Sequence, residues 1–207
     1  MIYSEQNKEI YNEIAERFDI SRVRIWPCVK DFLDKYPSNS LLLDVGCGNG
    51  KNMLYRKDLN FKGLDFSINL VEICKKKNLD VIESSMTSIP YNDNIFDGII
   101  MVASYHHLST ESERKSTLDE LYRVLKPDCK ILIVVWAMEQ PIDSKFIFTK
   151  SDELVTWTSI KNNKTYYRYY HIYSEGELSK EINKLKPEFI IDNEYLEKGN
   201  WVICLKK

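Results

Sequence analysis

The chain has 207 residues and carries 29 Lys and Arg against 31 Asp and Glu, a net charge of −2; this is enough for one α/β domain with a full core and short for two. No apolar run approaches the ~20 residues needed to cross a bilayer, and the N-terminus carries no signal-peptide pattern, so no membrane association is expected. Five scattered cysteines (Cys28, Cys47, Cys74, Cys129, Cys204) form no CxxC pair, which argues for a reducing compartment and against a disulfide framework or a cysteine zinc site.

In chain order, Ser4 to Phe18 reads as a helix with Ile10, Tyr11, Ile14 and Phe18 on one face. Pro27 suits the first turn of a second helix striped by Val29, Phe32, Leu33 and Tyr36. Residues 1–40 are thus expected to form an N-terminal helical cap on a single domain spanning 1–207. Leu41, Leu42, Leu43 and Val45 bracket Asp44 as a buried strand, followed by glycines at 46, 48 and 50. A short helix is expected after Lys51, then a second strand from Phe61 to Asp65. Ser67 suits the cap of a helix running to the lysines at 75–77. Val81 to Glu83 is a third strand and Ile95 to Val102 a fourth; Thr110 with Glu113 reads as a capping box. Lys130 to Ala137 is the strongest strand. Strands alternating with helices imply a doubly wound, mainly parallel sheet.

Beyond Met138 the alternation breaks. An irregular stretch to about Lys164 leads into the aromatic run TYYRYYHIYS. Ser174 and Glu177 read as a second capping box, and Phe189 to Leu196 and Trp201 to Leu205 as a hairpin turning at Lys198-Gly199-Asn200.

The glycine turn narrows the ligand. Lys51-Asn52 follows Gly50 where a P-loop needs Lys-Ser/Thr, and G-C-G-N-G is not the dinucleotide G-x-G-x-x-G. Asp65, ending the second strand, is placed to accept from ribose hydroxyls. Asp44 would repel pyrophosphate and suits a cationic amino-acid ligand through bridging water. A phosphate-free nucleoside fits best.

D-V-G-C-G-N-G, G-L-D-F-S, Asp97-Gly98-Ile99-Ile100, Tyr105-His106-His107-Leu108 and Leu121 to Pro127 together resemble the class I S-adenosyl-L-methionine-dependent methyltransferases. That resemblance implies a Rossmann-like, seven-stranded sheet ending in an antiparallel hairpin. It also implies a cofactor site of Tyr11, Asp44, Gly46, Gly48, Asp65, Phe66, Ser85, Met86 and Ala103, with S-adenosyl-L-homocysteine as product. Ser85 replaces the Asp common at its place, leaving adenine contact to Met86 and main chain. The family's Pro-Gly-Gly turn is Pro127-Asp128-Cys129 here.

More specific matches lie elsewhere: Tyr11 to Phe18, Ser21-Arg22, Trp26-Pro27, Val135 to Gln140, Arg168 to Leu178 and Gly199 to Trp201. They resemble the eukaryotic tRNA wobble-uridine carboxymethyl methyltransferases, including the equivalent domain of the AlkB-type fusion protein. With no room for a dioxygenase or RRM domain, the stand-alone form is expected.

The resemblance implies methyl transfer to the carboxylate of 5-carboxymethyluridine in the tRNA anticodon loop, giving 5-methoxycarbonylmethyluridine. A carboxylate with a pKa of about 4 is already ionised and needs no general base; it needs an anion clamp, for which arginine is preferred. The candidates are Arg22 and Arg168, with His107, His171, Tyr169 and Trp136 around them, His107 being favoured over His106 to meet substrate. Residues 138–173 would be a substrate-side insertion, in which Lys161, Lys164 and Arg168 alternate with Trp157 and tyrosines in a pattern suited to RNA.

The family also implies a small zinc-binding activator as heterodimer partner. The zinc would be the partner's, since this chain lacks a ligand cluster and no metal of its own is expected. The expected location is cytoplasmic, with a nuclear pool also open, and no DNA partner is expected. Two other readings stay open: a small-molecule O- or N-methyltransferase, and a catalytically silent methyltransferase-like binding protein.

Overall fold

Leu42, Leu43, Asp44 and Val45 are all fully buried because β1 (Leu41–Val45) runs through the middle of a sheet covered on both faces. In a computed structural model, which describes residues 2–158 and 164–207, the elements before it are α1 (Ile2–Ser21) and α2 (Pro27–Leu33). After it come β2 (Asn60–Asp65), α3 (Ile68–Lys76), β3 (Val81–Glu83), β4 (Phe96–Val102), a 3-10 turn (Tyr105–His107) and α4 (Glu111–Val124). The remainder is β5 (Leu125–Trp136), β6 (Asp152–Thr158), β7 (Thr165–His171), α5 (Glu177–Leu185), β8 (Ile190–Glu197) and β9 (Asn200–Lys206).

The main sheet has seven strands in the order β3-β2-β1-β4-β5-β9-β8. β1 to β5 are parallel, and β9 joins β5 antiparallel with β8 outside it. Alternate side chains feed two cores. Leu43, Val45, Ile99, Met101, Ile131 and Ile133 pack on one face with Leu118 and Leu121 of α4 and Leu178 and Ile182 of α5. Leu42, Ile100, Leu132 and Val134 pack on the other face with Val29, Phe32 and Leu33 of α2. Strand order reverses between β1 and β4, so a crevice opens at their carboxyl ends. This is the fold class expected.

Local chemistry sets two helix starts. Ser67 caps α3 by accepting from the Leu70 amide, and Thr110 and Glu113 close a reciprocal capping box on α4. Four expectations need correction. The chain after Lys51 makes turns rather than a helix. Ser174 does not cap α5: Gly176 holds that position in a left-handed conformation, and only Glu177 reaches back, to the Ser174 amide at 2.9 Å. β5 begins at Leu125, directly after α4, with a register break where Asp128 turns left-handed. Finally, the stretch expected to be irregular contains β6, which pairs antiparallel with β7 in a separate two-stranded sheet.

Candidate active site

The turn after β1 lies under a cavity of about 480 Å³ at the strand-order reversal. Gly46 has φ +70°, and a Cβ there would stand 2.5 Å from the Ser104 Cβ, so main chain alone fits between β1 and β4. The Gly48 amide donates to Asp65 Oδ2 at 2.8 Å and the Ser67 amide to Oδ1 at 2.9 Å. Asp65 thus ties the turn to the end of β2 and still faces the cavity. Burial pushes its carboxyl up to about 6, against the pull of those amides. Ala103 adopts φ +57° where β4 enters the cavity wall, an uncommon conformation for a residue with a Cβ.

Helix α1 closes the opposite side with Tyr11 and Phe18. It is pinned there by Asn12, which accepts from Ser67 Oγ at 2.7 Å, and by Asn7. Asn7 clamps the Tyr169 main chain, donating to its carbonyl at 3.1 Å and accepting from its amide at 3.0 Å.

The far end of the cavity is built by β7 and the 3-10 turn. Arg168 donates from Nη1 to the Tyr11 hydroxyl at 3.1 Å. His107 Nδ1 faces the Tyr169 carbonyl at 2.8 Å and must be the donor there, so Nε2 accepts from Tyr11 at 2.9 Å. Burial pushes His107 down to about 3, with Arg168 adding to the effect, and the imidazole is neutral. His106 has the opposite tautomer: its Nδ1 accepts from the Trp136 amide at 3.1 Å, leaving the proton on Nε2. Among the described residues, His106 Nε2 and Arg168 Nε are buried donors with no hydrogen-bond partner, on residues that both line the cavity. Arg168 is only 4% exposed, and burial and the tyrosine hydroxyls of Tyr11 and Tyr170, not a carboxylate, dominate its surroundings.

A nucleoside-bearing amino-acid cofactor fits this lining. Asp65 offers carboxylate oxygens at a ribose, Phe66, Ser85 and Met86 surround the neighbouring space, and Gly46 and Gly48 leave room for a ligand against main chain. Asp44 does not line the cavity; it is fully buried on β1, two residues before Gly46. Its Oδ1 has no partner and Asn52 reaches Oδ2 only at 3.5 Å, so an acceptor remains open beneath the turn. Burial pushes this carboxyl up to about 7.

The cavity brings together Arg22, His107, Trp136 and Arg168 with Tyr11, Gly46, Gly48, Asp65, Phe66, Ser85, Met86 and Ala103. It does not include the side chains of Tyr169 and His171. Side chains alternate along a strand, so Arg168 and Tyr170 face the cavity while Tyr169 and His171 face away. Both of these bond to Asp152, and His171 also meets Glu177 at 2.8 Å. Trp136 is not free to stack on a base with both faces: Tyr170 lies against it at 4.5 Å and 18°, and Phe146 at 5.0 Å. His107, expected to meet substrate, has both ring nitrogens engaged; His106 has the spare one, and nothing in the sequence distinguishes the two. Lys164 pairs with Glu13 at 2.7 Å, and Lys161 lies outside the described residues. Trp157, in the basic and aromatic stretch, has the guanidinium groups of both Arg22 (5.5 Å) and Arg168 (5.1 Å) over its ring.

Residues 43–133 match the family model for a methyltransferase domain. A chain in the solved complex between the Haloferax volcanii Trm112 methyltransferase activator and a methyltransferase superposes with a TM-score of 0.70 at 14% identity, over 97% of this chain and 96% of that one. The tRNA (carboxymethyluridine(34)-5-O)-methyltransferase alkbh8 of Xenopus tropicalis is 32% identical over 96% of this chain, which spans 40% of that protein's length. The tRNA (carboxymethyluridine(34)-5-O)-methyltransferase of Schizosaccharomyces pombe is 30% identical over 96% of this chain and 95% of its own length. Matched at 30% identity over 96% of its length by that relative, the chain belongs to the tRNA (carboxymethyluridine(34)-5-O)-methyltransferase family.

Proposed function

We propose that this protein methylates the carboxylate of 5-carboxymethyluridine at the tRNA wobble position, using S-adenosyl-L-methionine. The observation that carries the reading is Arg168: among the described residues it is a buried cation without a carboxylate partner, its Nε unpartnered, lining the same cavity as His106 with its spare Nε2–H. A carboxylate drawn into that end of the cavity would meet a cation and donors that the described residues leave unpaired. Leaving them unmet costs free energy that the acceptor recovers on binding.

Bound S-adenosyl-L-methionine supplies an electrophilic methyl group and leaves as S-adenosyl-L-homocysteine. The chain's own residues then have three tasks. Asp65, Phe66 and Met86 hold the nucleoside, with Asp44 as an acceptor behind the turn. Arg168 and His106 orient the acceptor oxygen, and Tyr11 and His107 orient Arg168. Trp136, Tyr170 and His106 present a largely apolar wall that strips water from the acceptor. No residue need take a proton, because the acceptor is ionised at neutral pH. The neutral His107, with both nitrogens bonded within the protein, agrees with that.

The fold shared with the Haloferax volcanii methyltransferase, solved with its activator, supports as a further part of the proposal a small activator protein as partner, zinc-binding by the family resemblance. The free thiols Cys28, Cys47, Cys74, Cys129 and Cys204 support a reducing compartment such as the cytoplasm. The test is mass analysis of tRNA nucleosides after incubation with S-adenosyl-L-methionine, with and without activator. Conversion of carboxymethyluridine to its methyl ester is expected; unchanged carboxymethyluridine in both arms overturns the reading.

A further inference from the structure

Four cations line the cavity: Arg168 at its inner end and Arg22, Arg24 and Lys51 around its mouth. Elsewhere on the protein, cations commonly meet carboxylates, as in Lys8–Glu83 (2.9 Å), Arg56–Asp58 (2.6 Å) and Arg123–Glu120 (2.7 Å). Among the described residues, neither Arg24 nor Lys51 has such a partner. Lys51 is the residue after the glycine turn, half-buried, its ammonium 5.5 Å from the centroid of Trp26. Burial and the nearby Arg22 both disfavour its charge, with Asp44 opposing them. A cation held in such company gains from any anion that arrives.

The mouth is held in shape. Asn49, within the glycine turn, donates to the carbonyls of Asp19 (3.2 Å) and Arg22 (3.0 Å), fastening the segment that carries Arg24 and Trp26 to the turn that carries Lys51. Arg24 is exposed and Trp26 half-buried, so this rim opens to solvent, unlike the enclosed Arg168.

A wobble nucleotide carries anions at two ends: the carboxylate on the base edge and the phosphodiesters on the sugar. If the inner guanidinium takes the first, the second needs a cationic partner nearer solvent. We propose that Arg24 and Lys51, beside Trp26, form a second anion subsite that binds a phosphodiester flanking the target uridine. This rests on the tRNA reading above. Cations interleaved with aromatic faces are the arrangement that holds unpaired RNA, the indole offering its face to a base and the cations their charge to the backbone.

The experiment measures tRNA affinity of the full chain, with activator present, between about 50 and 200 mM salt for wild type, Arg24→Met, Lys51→Met and Lys51→Arg. Each methionine variant is expected to weaken binding at the lowest salt by about 3- to 10-fold and to reduce the slope of log K against log salt by about 0.7, the single-strand value per phosphate contact. Lys51→Arg is expected to restore the slope. Calorimetry with S-adenosyl-L-methionine is expected to give affinities within about 2-fold of wild type, showing also that the variants are folded. An unchanged slope overturns the subsite. So does an unchanged slope with weakened cofactor binding, which would assign the cations to the cofactor's own carboxylate. If wild type methylates carboxymethyluridine in tRNA while the slopes are unaltered, only the subsite falls; if the nucleoside assay shows no product, the reading it rests on falls first.

Discussion

Tyr11 donates its phenolic proton to Nε2 of His107 across 2.9 Å, and the same oxygen accepts from Arg168 at 3.1 Å. One hydroxyl on α1 therefore engages both a buried histidine, whose tautomer the Tyr169 carbonyl sets, and a buried guanidinium. Tyr11 lines the cavity as well, so the helix on that side of the cavity also touches the proposed acceptor clamp.

Tyr11→Phe removes that oxygen and keeps the ring. A hydrogen bond to a charged group is worth about 1.5–3 kcal/mol, so kcat/KM for tRNA is expected to fall about 10- to 100-fold. Cofactor affinity, measured by calorimetry, is expected to change less than about 3-fold. Because His107 is held down to about 3, the wild-type pH profile of kcat/KM is expected to be free of a His107 inflection between about pH 5 and 8.

Arg168→Met separates function from stability. A buried cation without an ion pair is costly to fold around, and a methionine of similar length spares that cost. Thermal melting of the apo-protein is expected to rise by a few degrees, at about 2–4 °C per kcal/mol for a chain of this size. Methyl transfer to tRNA is expected to drop by about 100-fold or more. A lower Tm would instead mark Arg168 as a scaffold residue.

Asp44 and Asp65 give the apo-protein a pH dependence. Burial raises both above the ordinary 3.8, to about 7 and about 6 respectively. Between about pH 4 and 7 the folded chain thus holds protons that the unfolded chain has released, so stability is highest at the acid end of that window and declines as pH rises. Asp44→Asn is expected to flatten the decline and raise the apo-protein's Tm at pH 8 on the order of 5 °C. Cofactor affinity in wild type is expected to tighten from pH 6 to 8 as Asp44 ionises, and in Asp44→Asn to be at least about 10-fold weaker at pH 8.

Gly46→Ala tests the turn. A methyl group 2.5 Å from the Ser104 Cβ, on a backbone at φ +70°, must displace main chain. A cost of about 1–3 kcal/mol in stability is expected, together with loss of cofactor binding in calorimetry. Wild-type affinity in this variant would show that the turn does not hold the ligand.

Much of the architecture was legible residue by residue. β1 announces itself as a short apolar run and β3 as another; Ser67 and the Thr110–Glu113 box mark helix starts through a side chain and an amide a few positions apart. β6 was not legible, because Glu153 to Thr158 mixes polar and apolar residues in a strand whose partner among the described residues is β7, and the pairing that stabilises it comes from another segment of the chain. The Ser174–Glu177 box misled because the spacing was right but Gly176, not Ser174, took the cap.

Along the site, the sequence by itself determined what is local: a strand ending in alternate glycines, an acidic residue ending the next strand, two adjacent histidines after the fourth, and the family pattern that joins them. Backbone sterics and periodicity act over a few residues, so they can be read from order alone. The tertiary structure alone decided which polar atoms were left over. Arg168 and Tyr169 are neighbours on one strand, yet strand alternation sends one into the cavity and the other to Asp152. His106 and His107 are adjacent too; an amide at Trp136, a carbonyl at Tyr169 and a hydroxyl at Tyr11 leave the first a free proton and the second none. Whether a buried group is satisfied depends on partners far away in the chain, and that is settled only when the fold brings them within reach.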